Sequence, residues 1–405
     1  MKKWTLDGIK ALEAQHVVTT YKRQPVAFVR GSGSRLYDVD GREYLDFISG
    51  IGVTSLGHAH PGLAAAIADQ ASTLLHTSNL YYHPLQGQVA ARLTTMSGMA
   101  RAFFANSGTE AVEGCLKFAR RYWYTNGNKE RSAFVALENA FGGRTMGSLS
   151  VTWDEHYRTP FQPLVADVTF VKPGDIASLQ AAVTDRTAAI IAEPIQGEGG
   201  IRPLSKEFAQ AIRDVCRRTG TLYIADEVQT GLGRTGYPFY FPLLGLEPDL
   251  VSVGKALGSG VPVGAILMSE RVAQAISPGD HGTTYGGNLL ACRAALFFLE
   301  QLMENGLLEH VNAVGPQFER KLRALALKHP VIVETRGVGL MQGLQLAIDA
   351  GPIVDTARER GLLVNRTNEK VVRMLPPLTV EAADIDKAVD ILDEVFATVQ
   401  TEVSA

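Results

Sequence analysis

The chain has 405 residues, a net charge of −3, 46% hydrophobic and 20% charged residues, the proportions of a globular protein with a substantial core. That near-neutral balance argues against an electrostatic nucleic-acid or membrane surface, and no run approaches the ~20 apolar residues of a bilayer span. Cys115, Cys216 and Cys292 are too widely spaced for a disulfide framework or a zinc site, so no metal is expected. With no apolar stretch of signal-peptide length at the N-terminus, a cytoplasmic location is expected.

Taken in chain order, residues 27–29, 35–39 and 44–47 are punctuated by Gly31, Gly33 and Gly41 and read as a small antiparallel meander. Short apolar runs then alternate with amphipathic stretches, which predicts a mostly parallel, seven-stranded sheet covered by helices. Its strands fall at 102–105, 133–138, 168–171, 188–193, 221–226, 250–253 and 264–268. Residues 110–123 place Val112, Cys115, Leu116, Ala119 and Trp123 on one helical face. A second helix is predicted over 206–218, with Gly220 as its C-cap. Beyond Asn288, helices at 289–305, 308–329 and 381–400 and strands at 331–336 and 340–346 suggest a smaller α+β unit. The division expected is an N-terminal segment (1–59) contributing to the small domain, a large domain (60–288) and a C-terminal small domain (289–405).

Asp226 and Lys255 each end an apolar run and are followed by glycine-rich turns. A carboxylate and an amine at neighbouring strand ends suit a pyridoxal 5′-phosphate site. The amine bonds the aldehyde carbon, and the acid keeps the pyridine nitrogen protonated. Taken alone, a turn acid and a solvated lysine explain the pair as well. Asn106-Ser107-Gly108-Thr109-Glu110 precedes a helix, where free N–H groups and hydroxyls can hold a phosphate or simply cap the helix. Phe141 could stack on a ring, and Arg144 could pair with a substrate carboxylate or lie in solvent. Glu198 lies on a flexible glycine turn, free to pair with an arginine. Thr283 and Thr284 sit in a polar glycine-rich segment that reads as a phosphate or substrate contact or as a hinge. His58 and His60 lack a third metal ligand and read as structural. Gly231-Leu232-Gly233-Arg234-Thr235-Gly236 matches a dinucleotide-binding pattern and is the basis of a remote alternative, an NAD-dependent oxidoreductase. Pro238 and Pro242 oppose the helix that such a site requires.

In this order the motifs resemble the class III, ornithine-type aminotransferases of PLP fold type I, and within them the acetylornithine group. The resemblance runs from about Tyr21 to Ile391 and is most specific at 193–200, 226–236, 254–260 and 281–288. It implies pyridoxal 5′-phosphate as cofactor, bonded by Lys255 and faced by Asp226. Phe141 would stack on the ring, with Val228 and Gln229 beside it. Gly108 and Thr109 would bind the phosphate, completed across a homodimer interface by Thr284. Thr283 would touch substrate, Arg144 would take the distal carboxylate, and Glu198 with Arg373 would form a switch. Ornithine aminotransferases are similar here but carry tyrosine at the position of Ile51, and Ile51 favours an N-acylated donor. The implied substrates are N2-acetylornithine, 2-oxoglutarate and glutamate, in arginine biosynthesis. Succinylornithine, N-succinyldiaminopimelate, ornithine and 4-aminobutyrate are alternative donors. Many relatives also have a bulkier residue where this chain has Gly142.

Overall fold

The computed structural model describes residues 4–165 and 167–403. Seven short apolar runs assemble into one sheet: Arg101–Ala105 (β1), Ala133–Leu137 (β2), Val168–Val171 (β3), Thr187–Ala192 (β4), Leu222–Asp226 (β5), Leu250–Val253 (β6) and Gly264–Met268 (β7). Their spatial order is β1-β7-β6-β5-β4-β2-β3. β3, β2, β4, β5 and β6 pair in parallel, and β7 is antiparallel to both β6 and β1. Every residue of β4, β5, β6 and β7 is buried. Helices on both faces demand apolar side chains on both sides of each strand, which is why these runs do not alternate.

Helix Gly108–Thr125 (α1) packs on β6 and β7 and buries Val112, Cys115, Phe118 and Ala119. Ser107 caps it by accepting the Glu110 amide at 3.2 Å. Helix Lys206–Thr219 ends at Gly220, which is left-handed at φ 74°. Helices Pro61–Thr73 and Pro84–Ser97 have no counterpart in the sequence expectations. Their prolines look like breakers, but each stands at the first turn, where it costs no hydrogen bond, and His60 and His83 cap the two helices. Helices Leu6–His16 and Gly351–Glu359 were likewise not anticipated.

The meander forms as Phe28–Ser32, Arg35–Asp38 and Glu43–Asp46, and gains a fourth, parallel strand from Leu362–Leu363 near the other end of the chain. A separate antiparallel sheet runs Ile332–Val338, Met341–Leu346, Val371–Met374, Asn365–Thr367. The N-terminal segment is stitched to this C-terminal region by backbone bonds: Phe47 N to Leu363 O at 2.9 Å, Leu375 N to Phe47 O at 2.7 Å and Leu378 N to Ser55 O at 2.8 Å. His58 Nε2 lies 2.7 Å from Asp46 Oδ2 within this junction, a structural role.

The glycine-rich segment at 231–236 opens no helix. It closes on itself through Leu232 N to Pro238 O and Gly233 N to Tyr237 O, at 2.7 and 3.1 Å, so it is not a dinucleotide site. Its arginine has a different task. Arg234 is 2% exposed and donates through Nη1 to Leu340 O at 3.1 Å and Pro376 O at 2.5 Å. Among the described residues it has no acidic partner, and burial pushes the guanidinium down to about 9. Arg234→Ala would leave two buried carbonyls unpaired, partly offset by removing an unpaired charge. It is expected to lower the unfolding free energy by about 1–3 kcal/mol, seen as a lower urea midpoint at unchanged slope. An unchanged midpoint would mean that backbone pairing alone holds this junction.

Candidate active site

Three adjacent parallel strands deliver the central groups to one edge of the sheet. β4 is followed at once by Glu193, β5 ends at Asp226, and Lys255 follows β6 by one glycine. The register sets Ala225 against Ala192 and Asp226 against Ser252. This edge is where open parallel sheets bind ligands, because the loops there diverge and leave a crevice. Lys255 begins a short turn with a left-handed backbone at φ 43°. A residue with a Cβ is strained there, and such strain collects at functional positions.

Close backbone approach brings the second side of the site in. A Cβ at Gly108 would lie 2.6 Å from Val228 Cγ1, and one at Gly254 would lie 3.0 Å from Gly108 Cα. Only glycine lets the start of α1, Val228 and the residue before Lys255 press together. The amides of Gly108 and Thr109 open α1 and have no hydrogen bond among the described residues. They are the positive end of the helix dipole and suit an anion.

Asp226 is 6% exposed and accepts from Val228 N at 3.1 Å and from Ser252 Oγ at 2.9 Å, both on Oδ1. Among the described residues, no donor reaches Oδ2. Burial pushes the carboxyl above its ordinary range, so a cationic N–H placed at Oδ2 would stabilise the ionised form. Burial also lowers the Lys255 amine from its ordinary value, and Glu198, Arg373, Asp226 and Glu193 set the local field. A buried acid with one free oxygen, a depressed amine and open helix amides together fit a phosphorylated pyridine aldehyde.

Glu193 shares the signal that exposed Asp226, an acid at the end of a buried run, yet its position in the centre was not foreseen. It accepts Phe141 N at 3.1 Å and Gly197 N at 2.9 Å, and so ties two site loops to β4. Burial first, then the neighbouring Asp226, push it up to about 8. Arg373 is fully buried on Val371–Met374. It pairs with Glu198 Oε1 at 2.5 Å, reaches Gln229 Oε1 at 3.3 Å and holds Asn365 Oδ1 through Nε at 3.2 Å. Burial pushes Glu198 up, but Arg373 outweighs it and holds the carboxyl below its usual range. Gln229 thus meets Arg373 as well as following Val228.

Two expected phosphate hydroxyls are already engaged. Ser107 Oγ caps α1, and Thr109 Oγ1 bonds Ser148 Oγ at 2.7 Å and accepts Arg144 N at 2.9 Å. Ser107 only accepts in its cap, so its O–H is still a donor for a phosphate, whereas Thr109 Oγ1 is committed to the 144–148 turn and has its backbone amide to offer. Arg144 is exposed, with its guanidinium carbon 3.7 Å from the Tyr157 ring centre and 5.5 Å from that of Phe141. It borders a cleft of about 700 Å³ whose walls include Phe141, Tyr157, Glu198 and Arg366; Asp226 and Lys255 lie outside that lining. Thr283 Oγ1 accepts from Asn106 Nδ2 at 3.2 Å, whereas Thr284 is exposed within the single chain. Tyr157, Asn365 and the tie from Glu193 to Phe141 carry no sequence signal, because chain segments far apart in sequence create them.

A sequence profile described as Aminotransferase class-III matches residues 17–396. The acetylornithine aminotransferase of Methanocaldococcus jannaschii is 46% identical over 96% of this chain and 98% of its own length. That of Aquifex aeolicus is 45% identical over 94% and 100%. Among solved structures, ornithine aminotransferase from Toxoplasma gondii superposes with a TM-score of 0.95 at 32% identity, covering 100% of this chain and 97% of that one. Acetylornithine aminotransferase from Elizabethkingia anophelis gives 0.86 at 29%, covering 98% and 100%.

Glu227, beside Asp226, is 1% exposed and accepts Thr230 Oγ1 and the amides of Tyr240 and Phe241. Burial raises it from 4.5 to about 7. The folded state therefore binds this proton more tightly than the unfolded state, and stability falls as pH rises from about 4.5 to about 7. Glu227→Gln can still accept both amides and donate to Thr230. In thermal melts of cofactor-free protein across that window, the variant is expected to lose less stability than the wild type. Equal slopes would place the titration on another group.

Proposed function

The chain belongs to the class-III aminotransferase family, and from that premise we propose that it moves the δ-amino group of N2-acetyl-L-ornithine to 2-oxoglutarate. The products are N-acetyl-L-glutamate 5-semialdehyde and L-glutamate, a step of arginine biosynthesis. The observation that carries the chemistry is the placement of Asp226 and Lys255 on adjacent strand ends, beside the open amides of α1. Full-length similarity to acetylornithine aminotransferases supports the donor.

When bound, pyridoxal 5′-phosphate supplies an aldehyde carbon that bonds amines and a ring that accepts the electrons of a breaking C–H bond. Asp226 Oδ2 would hold the ring N–H and keep it protonated. The amides of Gly108 and Thr109 would hold the phosphate, and Phe141 and Val228 would lie beside the ring. Lys255 Nζ would anchor the aldehyde carbon, and its amine would carry the proton removed from the substrate carbon that bears the reacting amine. The donor and the keto acid use the site in turn.

Arg144 receives the distal carboxylate that both substrates carry, and Arg373 receives the α-carboxylate of glutamate. With acetylornithine bound, Arg373 would be a buried unpaired cation were it not for Glu198, which already pairs with it. The homodimer belongs to the same proposal. Thr284 is exposed next to Tyr285, and Asn79 joins this segment to the exposed Leu80, Tyr81 and Tyr82. A second copy would cover that apolar patch and receive Thr284 at its phosphate site. Three unpaired cysteines suit the cytoplasm.

Ile51 shapes donor choice. Ser49, Gly50, Ile51 and Gly52 all have positive φ, a left-handed turn packed against Lys255–Gly258. A β-branched residue at φ 66° is strained, yet Ile51 stays there and is 41% exposed. It offers no hydrogen bond to the α-ammonium of free ornithine, and acetylation removes that charge. The unpaired polar group costs roughly 1–3 kcal/mol. A side-by-side assay is therefore expected to favour acetylornithine over ornithine by about ten-fold or more in kcat/KM. Ile51→Tyr should narrow the gap. Ornithine used as well as acetylornithine would overturn the donor assignment and leave the transaminase.

Lys255→Ala tests the chemistry itself. It removes both the covalent anchor and the proton carrier, and turnover should fall by at least about 10²–10⁴-fold. Near-normal steady-state turnover would rule this lysine out.

A further inference from the structure

Arg144 lies exposed at the cleft and has no carboxylate partner among the described residues; its guanidinium rests on the Tyr157 ring, a contact worth about 0.5–1 kcal/mol at an exposed site. The backbone at Arg144 sets where the side chain starts toward that ring, and an acid outside the cleft lining secures that backbone. Thr109 and Glu113 are four residues apart on α1 and share one face of the helix. Thr109 Oγ1 accepts the amides of Arg144 and Thr145 at 2.9 and 3.3 Å. Glu113 Oε2 accepts Thr145 Oγ1 at 2.5 Å and Ser148 N at 2.9 Å. Ser148 Oγ closes the ring by accepting Thr145 N at 3.1 Å and meeting Thr109 Oγ1 at 2.7 Å. The fit is tight, since a Cβ at Gly147 would lie 2.2 Å from Glu113 Oε1.

We propose that Glu113 is a positioning residue for carboxylate recognition: from α1 it fixes the 145–148 turn, and with it the direction in which Arg144 enters the cleft. The inference rests on Arg144 being the arginine that takes the distal carboxylate. One helix face then serves two tasks. Its first amides meet the cofactor phosphate, and its next turn sets the substrate clamp at a fixed distance from it. A shift of about 1 Å in such a clamp can cost on the order of a hundred-fold in rate or binding. Without Glu113, Thr145 Oγ1 and Ser148 N lose a shared acceptor and the turn is free to relax.

The test compares wild type, Glu113→Ala, Glu113→Gln and Arg144→Ala as holoenzymes. The readouts are kcat and KM for acetylornithine, the inhibition constant of glutarate, a dicarboxylate that binds but cannot react, and the melting temperature. Glu113→Ala is expected to raise KM and the glutarate constant together by about ten-fold, with kcat within about two-fold. Glu113→Gln keeps an oxygen that can accept both donors and should recover most of the loss. A fall in kcat at unchanged KM, or a change in melting temperature alone, overturns the proposal and leaves Glu113 a structural cap. Should Glu113→Ala fail to fold, Thr145→Val removes the hydroxyl donor and carries the same expectation. If Arg144→Ala raises both constants but the Glu113 and Thr145 variants do not, the Glu113 proposal alone fails. If Arg144→Ala changes neither, the carboxylate role of Arg144 falls, and the proposal with it.

Discussion

Glu193, Asp226 and Arg373 are buried together, with the half-buried Lys255 and Glu198 beside them. Charges are costly there unless they answer one another. Arg373, wholly buried, has Glu198, Gln229 and Asn365 around its guanidinium. Asp226 has Ser252 and a backbone amide on one oxygen. Glu193 is held by two amides. What these contacts leave incomplete is the chemistry on offer: one oxygen of Asp226 and the amine of Lys255, each shifted toward its neutral form by burial. A cofactor bringing a cationic nitrogen and an anionic phosphate would relieve the first and suit the open amides of α1.

Reaching that arrangement requires backbones to come closer than side chains allow. Gly108 and Gly254 lie against Val228 and each other, and a Cβ at Gly264 would sit 2.2 Å from Ser107 O. These three glycines gather the start of α1, the turn after β5, the turn after β6 and the start of β7 around one point. A larger residue at any of them would separate the anion-binding amides from the lysine. The glycines therefore belong to the site as much as the charged groups, although none of them contributes a functional atom from a side chain.

The site also depends on the two ends of the chain meeting. Arg373 belongs to the C-terminal sheet, and its neighbour Leu375 is bonded to Phe47 and Ser49 of the N-terminal segment. That same segment carries the left-handed turn at 49–52, which packs against Lys255–Gly258. Arg234 reaches from the large sheet side to Pro376, three residues beyond Arg373. These backbone bonds, the Arg373–Glu198 pair and one continuous hydrophobic core hold the segments that carry Arg144 and Arg373 at a fixed separation.

Local chemistry made much of this legible in the sequence. Continuous apolar runs specify strands buried on both faces, so all seven strands of the large sheet could be read, nearly to their ends. Asp226 and Lys255 stand out because an ionisable group beside a buried run needs a reason to be there, whereas Arg373 was named only through the resemblance to class III aminotransferases. The helices at Pro61 and Pro84 were hidden, because proline at a first turn has the same letter as proline that breaks a helix. Strand order, and with it the meeting of Glu193, Asp226 and Lys255 on one edge, is a matter of pairing between segments far apart in the chain, which no local pattern encodes. The engagement of Ser107 and Thr109 in caps and loop bonds, the tie from Glu113 to the Arg144 turn, and the left-handed path through Ile51 came only from tertiary structure. A side chain's partner depends on what the fold brings within about 3 Å of it, and that distance is not written in residue order.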